Sequence, residues 1–316
     1  MVVRPSVLCP TDFSEPSRGA LKYAAAIAEH FHAALSILTV DDPMLRTAAD
    51  TAYGKEWLPA HTTQALEDFV KQTFHYHRPS VAEVNLDVTA GKPADEILRD
   101  ATTRHVDLIV MSTHGLTGPK KLLFGSTSEA VLRRSTVPVL VVPASDPGPD
   151  TLEDVMLHVR TVLAPVDFTA ATERQVQVAR GLAAAVGASV ALAHVLAPLH
   201  GRVEFEALMA DMENARRVES RRRLAELHTG IPVEVRADMI LAAGDPATEI
   251  ARIARQLSAG VIVMGLHSSI GGGPRMGSIT YRVLCQAACP VLALPPAPVG
   301  TSRRVDFTRQ PTLADA

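Results

Sequence analysis

Short apolar runs alternate along the chain with longer amphipathic stretches. Val7–Pro10, Leu35–Val40, Leu108–Ser112 and Val139–Val142 are rich in Val, Leu and Ile with little polar interruption. Continuous apolar runs, as opposed to alternating ones, predict parallel strands buried on both faces of a sheet. Between them the pattern predicts an alanine-rich helix ending near His32, a helix near Thr62–His77, a strand over Glu83–Thr89 and a helix over Ser126–Arg134. The segment GKPADEI opens another helix, with Pro93 in its first turn and Asp95 and Glu96 at the positive end of its dipole. Strand–helix alternation with crossovers of this length predicts right-handed βαβ units.

The pattern then repeats. LCPTDFSEPSRGALKYAAAIA, from Leu8, aligns with LAPVDFTAATERQVQVARGLA, from Leu163, so that Asp12 matches Asp167. AGKPADEI matches AGDPATEI, DLIVMSTHG matches GVIVMGLHS, and VPVLVVP matches CPVLALP. Solenoid units recur every ~20–50 residues; this unit is the size of a domain. One doubly wound α/β fold is therefore present twice, over 1–145 and 158–296, joined by a linker that begins ASDPGPD. Residues 297–316 have no apolar period and are expected to form a disordered tail.

Composition narrows the partners. The 316 residues are 47% hydrophobic, enough for two cores, and carry a net charge of −3. That balance leaves no electrostatic footprint for nucleic acid. No run reaches the roughly 18 apolar residues of a membrane span, and the start of the chain has no apolar leader, so a cytoplasmic protein is expected. Cys9, Cys285 and Cys289 are too few for a disulfide framework and are expected to be buried thiols. His75 and His77 would lie on different faces of a helix, which argues against a metal pair, and no metal site is expected. The arginine-rich stretch 215–228 is interspersed with glutamate and reads as a solvated helix face.

The candidate chemistry lies beyond the strand ending at Met111, in Ser112, His114, Gly115, Gly118, Gly125, Ser126, Thr127 and Ser128. Ligands of open α/β sheets bind beyond the carboxyl ends of the strands. Glycines there let backbone amides approach an anion, and the start of a helix at Gly125–Ser126 favours phosphate. A plainer reading also fits, since Ser126 and Glu129 have the spacing of a capping box. No G-x-x-x-x-G-K-[ST] motif and no G-x-G-x-x-G motif opening the first helix is present, which argues against P-loop and dinucleotide enzymes.

With PTDFSE after the first strand, the ALKYAAAIA helix and the closing VPVLVVP, the loop resembles the G-x2-G-x9-G-[S/T] pattern of the universal stress protein family, with Ser112 in the first glycine position. The resemblance implies two tandem domains, each a five-stranded parallel sheet in 3-2-1-4-5 order, of the adenine nucleotide alpha hydrolase-like type, packed as a pseudo-symmetric pair through their last strands. It implies ATP as ligand, with or without Mg2+. Pro10, Thr11 and Asp12 would belong to the nucleotide site, Asp12 accepting from the adenine amino group, and the Val40 backbone would meet the adenine edge. Met111, Ser112, His114, Gly118 and Thr127 would border the site, while Gly115, Gly125, Ser126 and Ser128 would hold ribose and phosphates. For Asp12 the alternative is to cap the following helix.

The second copy offers Pro165, Val166, Asp167, Val195, Met264, Gly265, His267, Gly277, Ser278 and Thr280, but Ser268 replaces a glycine and the loop is one residue shorter. Three readings follow. The first is an ATP-dependent sensor or switch in a stress response that acts on a protein partner. The second is an interaction scaffold without nucleotide. The third is a slow ATPase. Whether the whole chain dimerises is left open.

Overall fold

The structure, a computed structural model, describes residues 4–75, 81, 83–113, 124–199, 206–268, 274–275 and 277–296. The first half runs β1 (Ser6–Pro10), α1 (Glu15–His30), β2 (Ala34–Asp41), α2 (Pro43–Tyr53), α3 (Trp57–Thr73), β3 (Val84–Ala90), α4 (Pro93–Thr103), β4 (Leu108–Ser112), α5 (Ser126–Arg134) and β5 (Val139–Val142). Helix α6 (Leu152–His158) lies in the linker. The second half runs β6 (Thr161–Pro165), α7 (Thr172–Val186), β7 (Ser189–Leu196), α8 (Glu206–Thr229), β8 (Ala237–Ala243), α9 (Pro246–Gln256), β9 (Val261–Gly265), β10 (His267–Ser268), β11 (Pro274–Arg275), α10 (Ser278–Gln286) and β12 (Val291–Leu294).

Ten strands form one sheet in the order β3-β2-β1-β4-β5-β12-β9-β6-β7-β8. Each half is parallel in the predicted 3-2-1-4-5 order, and the halves meet where β5 and β12 pair antiparallel, Leu140 opposite Leu292. Each closing strand thus covers the other's open edge. β4, β5 and β12 are buried along their whole length, as strands with apolar residues on both faces must be. The core is two layers, one on each face of the sheet, and each layer contains residues of both halves.

Three helices, α2, α3 and α6, depart from the sequence expectation. The stretch before β3 holds two helices, and α3 begins at Trp57 and ends at Thr73, so His75 falls beyond it, while His77 is outside the described residues. α2 starts because the Asp42 carboxylate accepts from the Met44 and Leu45 amides with Pro43 in the first turn, and it stops at Gly54, whose φ is 95°. In the linker, Thr151 and Asp154 form a reciprocal capping box that nucleates α6. Linker and α1 are in close contact: a Cβ on Gly19 would be driven into the Asp146 carbonyl oxygen. The Tyr23 hydroxyl donates to Asp146 (3.1 Å) and Lys22 pairs with Asp150 (2.5 Å). The proposed tail, 297–316, lies outside the described residues.

Candidate functional site

β1 and β4 pair through Val7–Leu108 and Leu8–Ile109 and then part towards their carboxyl ends. In the second half β6 and β9 part after Val162–Val261 and Leu163–Ile262. These are the switch points of the two halves of the sheet, where a crevice forms. Asp12 lies just past β1, beside Pro10 and the buried Thr11. Its Oδ1 accepts from the Ser14 amide (3.2 Å) and hydroxyl (2.5 Å). It does not cap α1, because Ser14 does, accepting from the Ser17 amide. Asp167 repeats the turn, accepting from the Thr169 amide and hydroxyl (3.0 and 2.8 Å) and from Thr172.

Both turns contain a strained residue, Phe13 at φ 63° and Phe168 at φ 61°. A bulky residue in the left-handed region persists only where its surroundings hold it there. The Phe13 ring packs edge-on against Phe69, which lies under the Arg18 guanidinium, while Phe168 packs on His194 under Arg223. The sequence repeats the Asp-Phe pair, but the backbone conformation is legible only in three dimensions.

Backbone alternation fixes the role available to Val40. The Leu38 carbonyl accepts from the Thr11 amide on the β1 side, and the Asp41 carbonyl accepts from Gly91 on the β3 side. Alternate residues of a strand point their N–H and C=O to opposite neighbours. Val40 therefore presents both groups on the β1 side, past the end of β1 and towards Asp12. Val195 does the same beside Asp167, since Ala193 accepts from Val166 and Leu196 from Gly244.

The third component is the start of α5. Residues 114–123, with His114, Gly115, Gly118, Lys120 and Lys121, lie outside the described residues. The ends of that loop are tied, as the Gly125 amide donates to the Thr113 carbonyl (2.8 Å). Gly125 is the N-cap and no described side chain caps it. The amides of Ser126 and Thr127 head the helix, where the helix itself has no acceptor for them. The capping-box reading of Ser126 and Glu129 does not hold, because Ser126 is the first helical residue and Glu129 pairs with Arg133 (2.7 Å). Ser126 is exposed, whereas Ser128 is buried and its hydroxyl donates to the Ser112 carbonyl (2.8 Å), locking α5 to β4. Met111 is a core residue, as is Met264 in the second half.

The second crevice differs. Gln175, buried on α7, donates from its amide nitrogen to the Pro165 carbonyl (2.6 Å) and the Val263 carbonyl (2.7 Å) and accepts from the Gly265 amide (3.3 Å). One side chain thus bridges the parted ends of β6 and β9. The matching residue of α1, 155 positions earlier, is Ala20, which cannot reach that far. Sequence reasoning passed over Gln175, although a glutamine on the sheet-facing side of an apolar helix was a visible signal. Val166 and Thr280 are buried, Asp167 and Ser278 exposed, and Gly277 is the N-cap of α10, again without a described side-chain cap. His267 lies in β10, which pairs antiparallel with β11, His267 opposite Arg275; Gly271–Gly273 are outside the described residues.

Other sequence candidates resolve as follows. Cys9 is buried and Cys289 half-buried, and burial pushes both thiols up to about 12; Cys285 is exposed, contrary to expectation, because it lies on the outer side of α10. The arginine stretch is only partly a solvated face. Arg222 pairs with Glu219 and Glu226, but Arg223 donates to the Phe168 carbonyl (3.2 Å) and Arg216 to that of Ala197 (3.1 Å), which anchors α8. Among the described residues no cluster of His, Cys, Asp or Glu could hold a metal, and no helix is long and apolar enough to cross a membrane.

A duplicated, doubly wound α/β protein, with an acidic turn and a helix start without a described side-chain cap at each switch point, is the class that this geometry defines. The chain belongs to the universal stress protein family, which it matches over residues 4–143 and 158–295. It is similar to universal stress protein MJ0531 of Methanocaldococcus jannaschii, 33% identical over 140 residues that make up 43% of this chain and 80% of that protein. It is also similar to YxiE of Bacillus subtilis, 32% identical over 43% of this chain and 97% of that protein. Among solved structures, a universal stress protein from Archaeoglobus fulgidus superposes over 92% of this chain and 98% of its own, with a TM-score of 0.63 at 20% identity. That likeness extends over both halves and concerns the fold.

Proposed function

We propose that the first half is an adenine nucleotide site that takes ATP, with or without Mg2+, and that the bound nucleotide acts as a switch in a stress response. The observation that carries this reading is the Val40 backbone, whose donor and acceptor face past the end of β1 beside the Asp12 carboxylate. A paired donor and acceptor suit the edge of a purine, and a carboxylate suits its amino group. The α5 amino terminus, with Ser126 and Thr127 at its head, supplies the field and the N–H groups that phosphates need. Binding would change the surface offered to a partner.

The test is titration calorimetry of Mg-ATP into protein stripped of endogenous nucleotide, with Asp12→Ala and Gly115→Val alongside. Gly115→Val is expected to abolish binding at the first site, because a branched side chain fills space the phosphates require. Full affinity in both variants would refute the assignment. A scaffold that binds no nucleotide is the second reading, favoured by Ser112 in a glycine position and by Gln175 across the second crevice. It predicts no heat of binding and no nucleotide released on denaturation.

A further inference from the structure

The two halves meet the same geometric problem and answer it differently. In each, the strands that flank the switch point share a ladder for two residues and then part. Beyond that point the backbone groups on their facing sides no longer bond each other. In the second half Gln175 takes these groups up from inside the chain. Its amide nitrogen donates to the Pro165 and Val263 carbonyls, and its oxygen accepts from the Gly265 amide. The side chain is buried, and both of its N–H groups are spent on the crevice floor.

The same three positions in the first half are Pro10, Val110 and Ser112, and the residue of α1 that matches Gln175 is Ala20. A methyl group can neither reach across the parted strands nor hydrogen-bond to them. Pro10 and Ser112 are residues expected at the nucleotide site. Their counterparts, Pro165 and Gly265, are already committed to Gln175.

The phosphate side differs as well. Gly115, where the first site requires the absence of a side chain, is matched by Ser268. Ser268 lies in β10, opposite Pro274 of β11. A segment in an antiparallel ladder runs extended and turns successive amides to opposite sides, whereas an anion nest needs consecutive amides turned to one side.

We propose that Gln175 closes the second crevice to nucleotide, so that each chain takes one, in the first half, a proposal that rests on the nucleotide site assigned there. Selection between the halves then lies in one pair of matching residues. Ala20 leaves its crevice open, and Gln175 shuts the other.

The experiment titrates Mg-ATP into the full chain stripped of nucleotide and maps protection by hydrogen exchange. One ATP per chain is expected, with protection gained at residues 10–14 and 124–128 and none at 165–169 and 277–280. Ala20→Gln carries the closing residue into the first half and is expected to weaken binding by about tenfold or more. Because Ala20 is buried, that variant is read only if it melts cooperatively; otherwise the stoichiometry and the exchange map of the parent chain decide. Two ATP per chain, or protection at the start of α10, overturns the closure and leaves the nucleotide site of the first half standing. Undiminished affinity in folded Ala20→Gln overturns the closure too. No heat of binding in the parent chain removes both.

Discussion

Replacing Gln175 by leucine is a sharp test of how the second crevice is held. Leucine has nearly the same volume, so little cavity is created, and the change isolates the polar contacts. Three backbone groups lose their partner: the carbonyls of Pro165 and Val263 and the amide of Gly265. An orphaned buried backbone group costs about 1–3 kcal/mol. Three at the low end come to about 3 kcal/mol, and at ~2–4 °C per kcal/mol for a body of this size the melting temperature should fall by about 6–12 °C. The assay is calorimetry with hydrogen exchange, which should place the loss at the ends of β6 and β9 and leave β1 and β4 protected. A fall of less than about 2 °C would refute the reasoning, since it would mean that solvent or rearranged backbone meets those groups at no cost. Gln175→Glu is a companion change that keeps the acceptor for Gly265 and sets a carboxylate against two carbonyls; it should be at least as damaging.

Three further outcomes follow from local features. Asp41 is buried at the end of β2, and its pKa is raised by desolvation although Thr62 donates to it (3.0 Å). A folded-state pKa above the unfolded one favours folding at low pH and opposes it once the carboxylate ionises. Asp41→Asn should therefore raise the urea midpoint near neutral pH, with the gain shrinking as pH falls towards the ordinary carboxylate range; a gain that is independent of pH would count against this cause. His30 runs the other way, because burial lowers its pKa. The unfolded chain takes up a proton that the folded chain resists, so stability should decline as pH drops below the ordinary value of 6.5, and His30→Phe should flatten that decline in acid-unfolding curves. Gly19→Ala forces a methyl group into the linker backbone and should release residues 146–148 from α1, at a cost of about 1–3 kcal/mol. Faster proteolytic cleavage in the linker is the readout, and an unchanged cleavage rate would contradict the docking.

The apolar runs and their repeat determined a great deal. A strand covered on both faces must be apolar at every position, so β4, β5 and β12 were legible as buried parallel strands. α5 was legible to the residue, from Ser126 to Arg134, because a glycine before it and a proline shortly after bound it sharply. Asp12, Ser126 and their counterparts could be picked out because turns at strand ends are encoded locally. α2 and α6, started by the caps Asp42 and Thr151, escaped; neither presents a buried apolar stripe to the core, Ala49 being the only buried residue of α2 and none of α6 being buried.

What only the tertiary structure decided is non-local. That the Val40 backbone faces the crevice follows from which neighbour each residue of β2 bonds, and strand pairing is invisible in β2 alone. That Gln175 ties two strands, and that Leu140 meets Leu292 across the seam, depend on atoms far apart in the chain. Local propensity and periodicity belong to a few consecutive residues, whereas these contacts join residues up to 150 or more positions apart, and geometry after folding sets them.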